Sequence, residues 1–257
     1  MSGAVEARTY PGRIGAQVWI GPGRAVYEGP SLHLAPHSGL VACLAIGVDD
    51  LLEVHVDHQV VTARTVLVPA RLTHRVVARG ERTAFCYVDP ATVHRDSLIA
   101  RMRPGTADVR AGHDREDELV ELATQGDVAG LIALAVPGDA VGPDPRVRRA
   151  ARRLAQPGNT ELSAAELAAG VHLSTSRFLH LFAEQTGTGV RRYRLWARML
   201  AAATVLSNGG DLTRAAADAG FATPSHLSSA FRRMFGLTPG QLLGHRPRIT
   251  VEDSYCS

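Results

Sequence analysis

Leu162 to Gly187 reads LSAAELAAGVHLSTSRFLHLFAEQTG, and Leu212 to Gly236 reads LTRAAADAGFATPSHLSSAFRRMFG. Laid over one another at an offset of 50, Leu162, Ser163, Ala165, Ala169, Gly170 and Val171 meet Leu212, Thr213, Ala215, Ala219, Gly220 and Phe221. After a one-residue deletion, Ser174, Phe178, Phe182 and Gly187 meet Thr223, Leu227, Phe231 and Gly236. Agreement in register over such a length is structural duplication. Each copy predicts a short helix, a turn and a second helix. Ser163 in the first, and Asp211 or Thr213 in the second, can cap the short helix. Gly170 and Gly220 are expected to end it in left-handed backbone, where glycine carries no Cβ penalty. A hydroxyl, Ser174 or Thr223, opens the second helix, which hides Phe178 and Phe182, or Leu227 and Phe231, at i and i+4. Its opposite, polar face is left free to enter a major groove.

On that face the candidate base readers are Thr175, Ser176, Leu179 and His180 in the first copy, and Pro224, Ser225, Ser228 and Ser229 in the second. Hydroxyls serve several bases, His180 can donate to guanine N7 or O6, and Leu179 can touch a thymine methyl. Arg177, Arg191, Arg192, Arg232 and Arg233 are read as phosphate clamps that set register. Between the copies, Val190, Tyr193, Leu195, Trp196, Met199, Leu200, Ala203 and Leu206 fit one helix of about twenty residues, roughly 30 Å long. Such a rod suits two reading helices in successive major grooves, about 34 Å apart.

Working outward, VPGDAVGPDP (Val136 to Pro145) reads as a linker, with Pro145 placed to open a helix. Charge changes sign there. Met1 to Pro145 holds 13 Arg against 18 acidic residues, net −5, whereas Arg146 to Arg248 holds 15 Arg against 5, net +10. Only the second half is therefore expected to face a polyanion. All basic side chains are Arg, with no Lys, so no single Arg is diagnostic.

Before the linker, Val18 to Val88 runs in short Val-rich stretches broken by Gly, Pro and Asp, the pattern of a compact β-barrel or sandwich. Ala91 to Met102, Asp114 to Thr124 and Asp127 to Ala135 carry apolar residues at helical spacing. The N-terminus lacks an apolar leader, and Leu119 to Val136 is interrupted by Glu121, Gln125 and Asp127, so neither export nor a membrane span is expected and the chain is read as cytoplasmic. Cys43, Cys86 and Cys256 follow no disulfide or zinc spacing; the first two are read as buried packing thiols.

From Arg146 to Leu243 the chain resembles the AraC/XylS family of bacterial transcription regulators. The resemblance is carried by the first repeat, the RRYRLWARMLAAATVL spacer and AADAGFATPSHLSSAFRRMFGLTP with its closing Pro239. It implies a regulator, usually an activator, that binds double-stranded DNA, answers a small-molecule effector, contacts RNA polymerase and pairs as a homodimer. Ser229 stands where many members carry Arg, which implies less base-specific energy from the second unit. TVLVPARLTHRV (Thr65 to Val76) is similar to a strand of the cupin-like arm of such regulators, and the helices after Pro90 resemble their dimerisation helices.

The expected fold is therefore α+β: a cupin-like β-barrel with trailing helices (1–135), a linker (136–145), an all-α domain with two helix-turn-helix motifs joined by a long helix (146–245), and a tail (246–257). No catalytic residues, metal or cofactor are expected, and the chain is not read as an enzyme. The alternative is a metal-binding or catalytic cupin tethered to a DNA-binding domain, with His33, His37 and His74 as ligands. Against it, the histidine spacings differ from a metal cupin's, and His55 and His58, three apart, would point to opposite faces of a strand.

Overall fold

The computed structural model describes residues 15–21, 23–104, 108–136, 142–156 and 158–252. Cys256, the N-terminal stretch read for a leader and residues 137–141 of the connector lie outside them. The first part of the chain builds β1 (Gln17–Gly21), β2 (Arg24–Pro30), β3 (His37–Ser38), β4 (Ala42–Gly47), β5 (Leu52–Val56), β6 (Gln59–Ala63), β7 (Thr65–Val68), β8 (Thr73–Ala78) and β9 (Arg82–Val88). There follow α1 (Arg95–Ile99), β10 (Met102–Arg103), β11 (Arg110–His113), α2 (Glu116–Gln125) and α3 (Val128–Ala135). The second part comprises α4 (Pro145–Ala155), α5 (Ala164–Ala169), α6 (Thr175–Thr186), α7 (Val190–Ser207), α8 (Leu212–Asp218), α9 (Pro224–Phe235), α10 (Pro239–Gly244) and β12 (Arg248–Val251).

The expected barrel is not closed. β10-β11-β7-β4-β9-β2-β1-β12 form one sheet and β3-β8-β5-β6 a second. Among the described residues no ladder joins an edge of the smaller sheet to the larger one. Side chains alternate across a strand, and both faces of the larger sheet are covered. On β9, Ala84, Cys86 and Val88 pack beneath α2 and α3. Phe85, on the other face, joins Val54, Val61 and Val76 of the smaller sheet in a separate core. The helices that resemble dimerisation helices thus turn Leu119, Ala123, Leu131 and Ile132 inward onto their own sheet. Cys43 and Cys86 are buried free thiols, and burial pushes the Cys86 thiol up to about 12.

Ala91 to Met102 is helical only from Arg95 to Ile99. The Asp89 carboxylate accepts from Ala91 N at 2.8 Å, and the Thr92 hydroxyl donates to the Asp89 carbonyl at 2.8 Å. These local bonds hold the chain in a turn that competes with helix.

The helical part is fastened directly to the sheet. Tyr193 Oη and Trp196 Nε1, one turn apart on α7, both donate to Asp89 Oδ2, at 2.7 and 3.2 Å. Asp89 is 3% exposed; burial pushes its carboxyl above the usual range, while the bonds from Tyr193, Ala91 and Trp196 oppose that rise. Ala35 N donates to Gly236 O at 2.9 Å, and Tyr87 meets Phe235 edge-on at 5.1 Å. Part of the segment read as a tail is a strand: β12 pairs in parallel with β1, Gln17 opposite Arg248 and Ile20 opposite Val251.

Candidate nucleic-acid interface

Each repeat folds as a helix-turn-helix through its own local chemistry. Ser163 accepts from Glu166 N while the Glu166 carboxylate returns to Ser163 N, a reciprocal cap worth about 1 kcal/mol. Asp211, rather than Thr213, caps α8 by accepting from Arg214 N. Ser174 and Thr223 cap α6 and α9 as expected. The turns differ. Gly220 has φ +79°, but Gly170 is right-handed at φ −65°, and His172 takes the left-handed position at φ 56°. A Cβ at Gly170 would meet only the movable end of the exposed Arg153 side chain closely, so neither backbone conformation nor packing requires glycine there.

Phe178 and Phe182 are 0% and 1% exposed, with ring centroids 5.7 Å apart, and Phe182 meets Tyr193 of α7 at 5.3 Å. Packing of this kind fixes the roll of α6. Thr175, Ser176, Leu179 and His180 are consequently exposed. Leu179 is 41% exposed, one of two large hydrophobic side chains so placed among the described residues, an apolar group without a protein surface to cover it. In α9, Leu227, Ala230 and Met234 are buried, leaving Pro224, Ser225 and Ser229 exposed and Ser228 half-buried. Phe231, read as a core residue, is only half-buried and packs at a tilt against Phe235, with ring centroids 4.5 Å apart. His226 is an exposed first-turn residue that the repeat alignment passed over; its ring rests edge-on against Phe221 at 5.4 Å.

Arg177, Arg191, Arg192, Arg232 and Arg233 are all exposed, and none forms an ion pair with a described residue. Free guanidiniums flanking two exposed helix faces form a surface suited to phosphates. α7 connects the two units as one helix of 18 residues, about 27 Å long.

The histidines of the sheet domain do not assemble as a three-ligand set. His37 and His74 face each other across β3 and β8 with ring centroids 4.3 Å apart, but His33 is exposed. Their Nδ1 atoms lie 2.9 Å from the Ala35 and Leu72 carbonyls. Burial first, and the neighbouring His74 second, lower His37 to about 4, against the Ala35 carbonyl. His58 stands in the β5–β6 turn rather than on a strand face. Among the described residues no group of three or more His, Cys, Asp or Glu side chains is arranged to hold a metal ion, and no helix is long and apolar enough to cross a membrane.

Where α7, α9 and α10 lie over the larger sheet, an apolar cavity of about 110 Å³ remains. Ile20 and Tyr87 line it from the sheet, Leu200 and Ala203 from α7, Phe231 from α9 and Leu243 from α10.

Residues 167–245 match the family model described as "Helix-turn-helix domain". The fold of the chain is similar to that of an apo lysine-to-alanine variant of ToxT from Vibrio cholerae strain SCE256, with 11% identity over 87% of this chain and 98% of that one, TM-score 0.56. It is also similar to ToxT from Vibrio cholerae O395 bound to (E)-4-(8-methylnaphthalen-1-yl)but-3-enoic acid, with 10% identity over 90% and 99%, TM-score 0.50. No curated protein matches in sequence. The matched segment and the paired units make the chain a helix-turn-helix DNA-binding regulator. A sheet-rich domain followed by this helical domain is the arrangement the chain shares with ToxT.

Proposed function

We propose that the chain is a sequence-specific transcription activator that binds double-stranded DNA through both α6 and α9. Thr175, Ser176, Leu179, His180, Pro224, Ser225, Ser228 and Ser229 meet base edges, and Arg177, Arg191, Arg192, Arg232 and Arg233 hold phosphates. The observation that carries this reading is the pair of exposed polar helix faces, each fixed by an opposite buried face and joined by one rigid helix. A small molecule acting on the sheet domain alters how the helical domain meets DNA. The direct fastening of α7 and α9 to the sheet supports this coupling, as does the small acid bound by ToxT. In this reading the protein works in the cytoplasm with RNA polymerase, and a homodimer would align two such pairs of reading helices along one operator.

Binding-site selection with the full-length chain tests the proposal. Two short conserved elements spaced by about one duplex turn, 10 to 10.5 base pairs, are expected. Recovery of unselected sequence, or of one element only, would refute reading by both helices.

A further inference from the structure

The cavity beneath α9 has a chemistry that selects its occupant. Its wall contains no charged side chain. Two of the three hydrogen-bonding side chains on it are already engaged within the protein: Tyr27 Oη donates to the Pro30 carbonyl at 2.6 Å, and Trp196 Nε1 donates to Asp89. A ligand with several hydroxyls would leave most of them unpaired, and a ligand carboxylate would be stripped of water with no cation to compensate. The volume of about 110 Å³ exceeds that of one water several times over. It approaches the size at which a dry apolar cavity, about 150 Å³, takes up benzene. A sugar is excluded by its hydroxyls.

We propose that this cavity is the receptor site for a small, uncharged hydrophobe of about one substituted benzene ring. The assignment rests on the reading of the sheet domain as the sensing module and gives that module its ligand class. Phe231 and Phe235 of α9 form part of the wall, so an occupant touches the same helix that presents Pro224, Ser225, Ser228 and Ser229 on its other side. The signal has no intervening element to cross: filling the cavity bears directly on the seating of the second reading helix.

Titration calorimetry of the full-length chain with toluene and with benzoate tests the ligand class, since the two share a ring and differ in charge. Toluene is expected to bind with 1:1 stoichiometry and benzoate about a hundredfold more weakly or worse. Ala203→Phe, which places a ring in the cavity, should weaken toluene binding at least tenfold with no fall in melting temperature; Leu243→Phe, on the α10 wall, serves if the first variant does not fold. Benzoate binding as well as toluene, toluene binding indifferent to both wall variants, or no toluene binding by a chain that still binds DNA would each overturn the proposal. DNA affinity measured with and without saturating toluene separates the two readings. Toluene bound in the cavity with DNA affinity unchanged would uphold the ligand class and refute the sensing role.

Discussion

Asp89→Ala removes the acceptor that joins the two parts of the chain, and its effect follows from the groups left behind. Tyr193 is 3% exposed and Trp196 1% exposed, so neither donor reaches water once the carboxylate is gone. Each stranded buried donor costs about 1–3 kcal/mol, which places the loss at about 2–6 kcal/mol. The carboxylate has its own liability. Burial raises its folded pKa above the unfolded value, so its contribution is complete below the unfolded carboxylate range and declines as pH rises through the folded pKa. The gap in unfolding free energy between parent and variant should therefore be wider at pH 4 than at pH 7, by urea denaturation of the full-length chain. Tyr193→Phe gives a further check. Alone it should cost about 1 kcal/mol, the net value of one hydrogen bond, but in the Asp89→Ala background it should be neutral or stabilising because no hydroxyl is then stranded. A variant within 0.5 kcal/mol of the parent at both pH values, by the ordinary tolerance of a surface change, would show that the carboxylate does not fasten α7.

Other expectations concern the DNA face and its supports. Affinity should fall by about a thousandfold or more between 50 and 200 mM salt if about 6 to 10 phosphates are held, as fluorescence anisotropy would show; a flat response contradicts the assignment of the five guanidiniums. His180→Ala should alter preference at one or two base pairs, whereas Arg232→Ala should weaken all sites alike, a contrast that binding-site selection with each variant can detect. Phe182→Ala should destabilise the fold by about 3–5 kcal/mol, since its ring is closed between Phe178 and Tyr193. Phe231→Ala should cost less, because its half-buried ring borders a space that is already empty; equal losses in thermal melts would contradict that placement.

The reading of the helical part from sequence worked because its determinants are local. Ser163, Asp211, Ser174 and Thr223 act on amides within three residues, and the aromatic spacing of α6 lies on one helix. Repetition then raised a short-range signal above chance. Gly170 misled because the left-handed step of that turn is taken two residues later, by His172, and a glycine in the sequence does not say which residue of a turn makes it. Phe231 misled similarly, since periodicity identifies a helix face but does not say whether the surface opposite is solid protein or a void. Strand positions in the sheet domain were readable from alternation, yet barrel closure depends on which strands pair, a property that alternation does not encode. Asp89 and β12 were missed for the same cause: their partners, Tyr193 and Gln17, lie 104 and 231 residues away.

The parallel strand at the end of the helical part has a consequence for the sheet it joins. Arg248 N donates to Ala16 O and Glu252 N to Ile20 O, both at 2.8 Å, so the outer rim of β1 is capped by residues from the opposite end of the chain. Lifting this strand would bare a row of amides and carbonyls beside Val18 and Ile20, a template on which another copy can add a strand. The four residues of β12 thus hold the chain that follows α10 against the sheet and at the same time blunt that sheet's edge. A change that releases β12 from β1 should therefore favour self-association of the sheet.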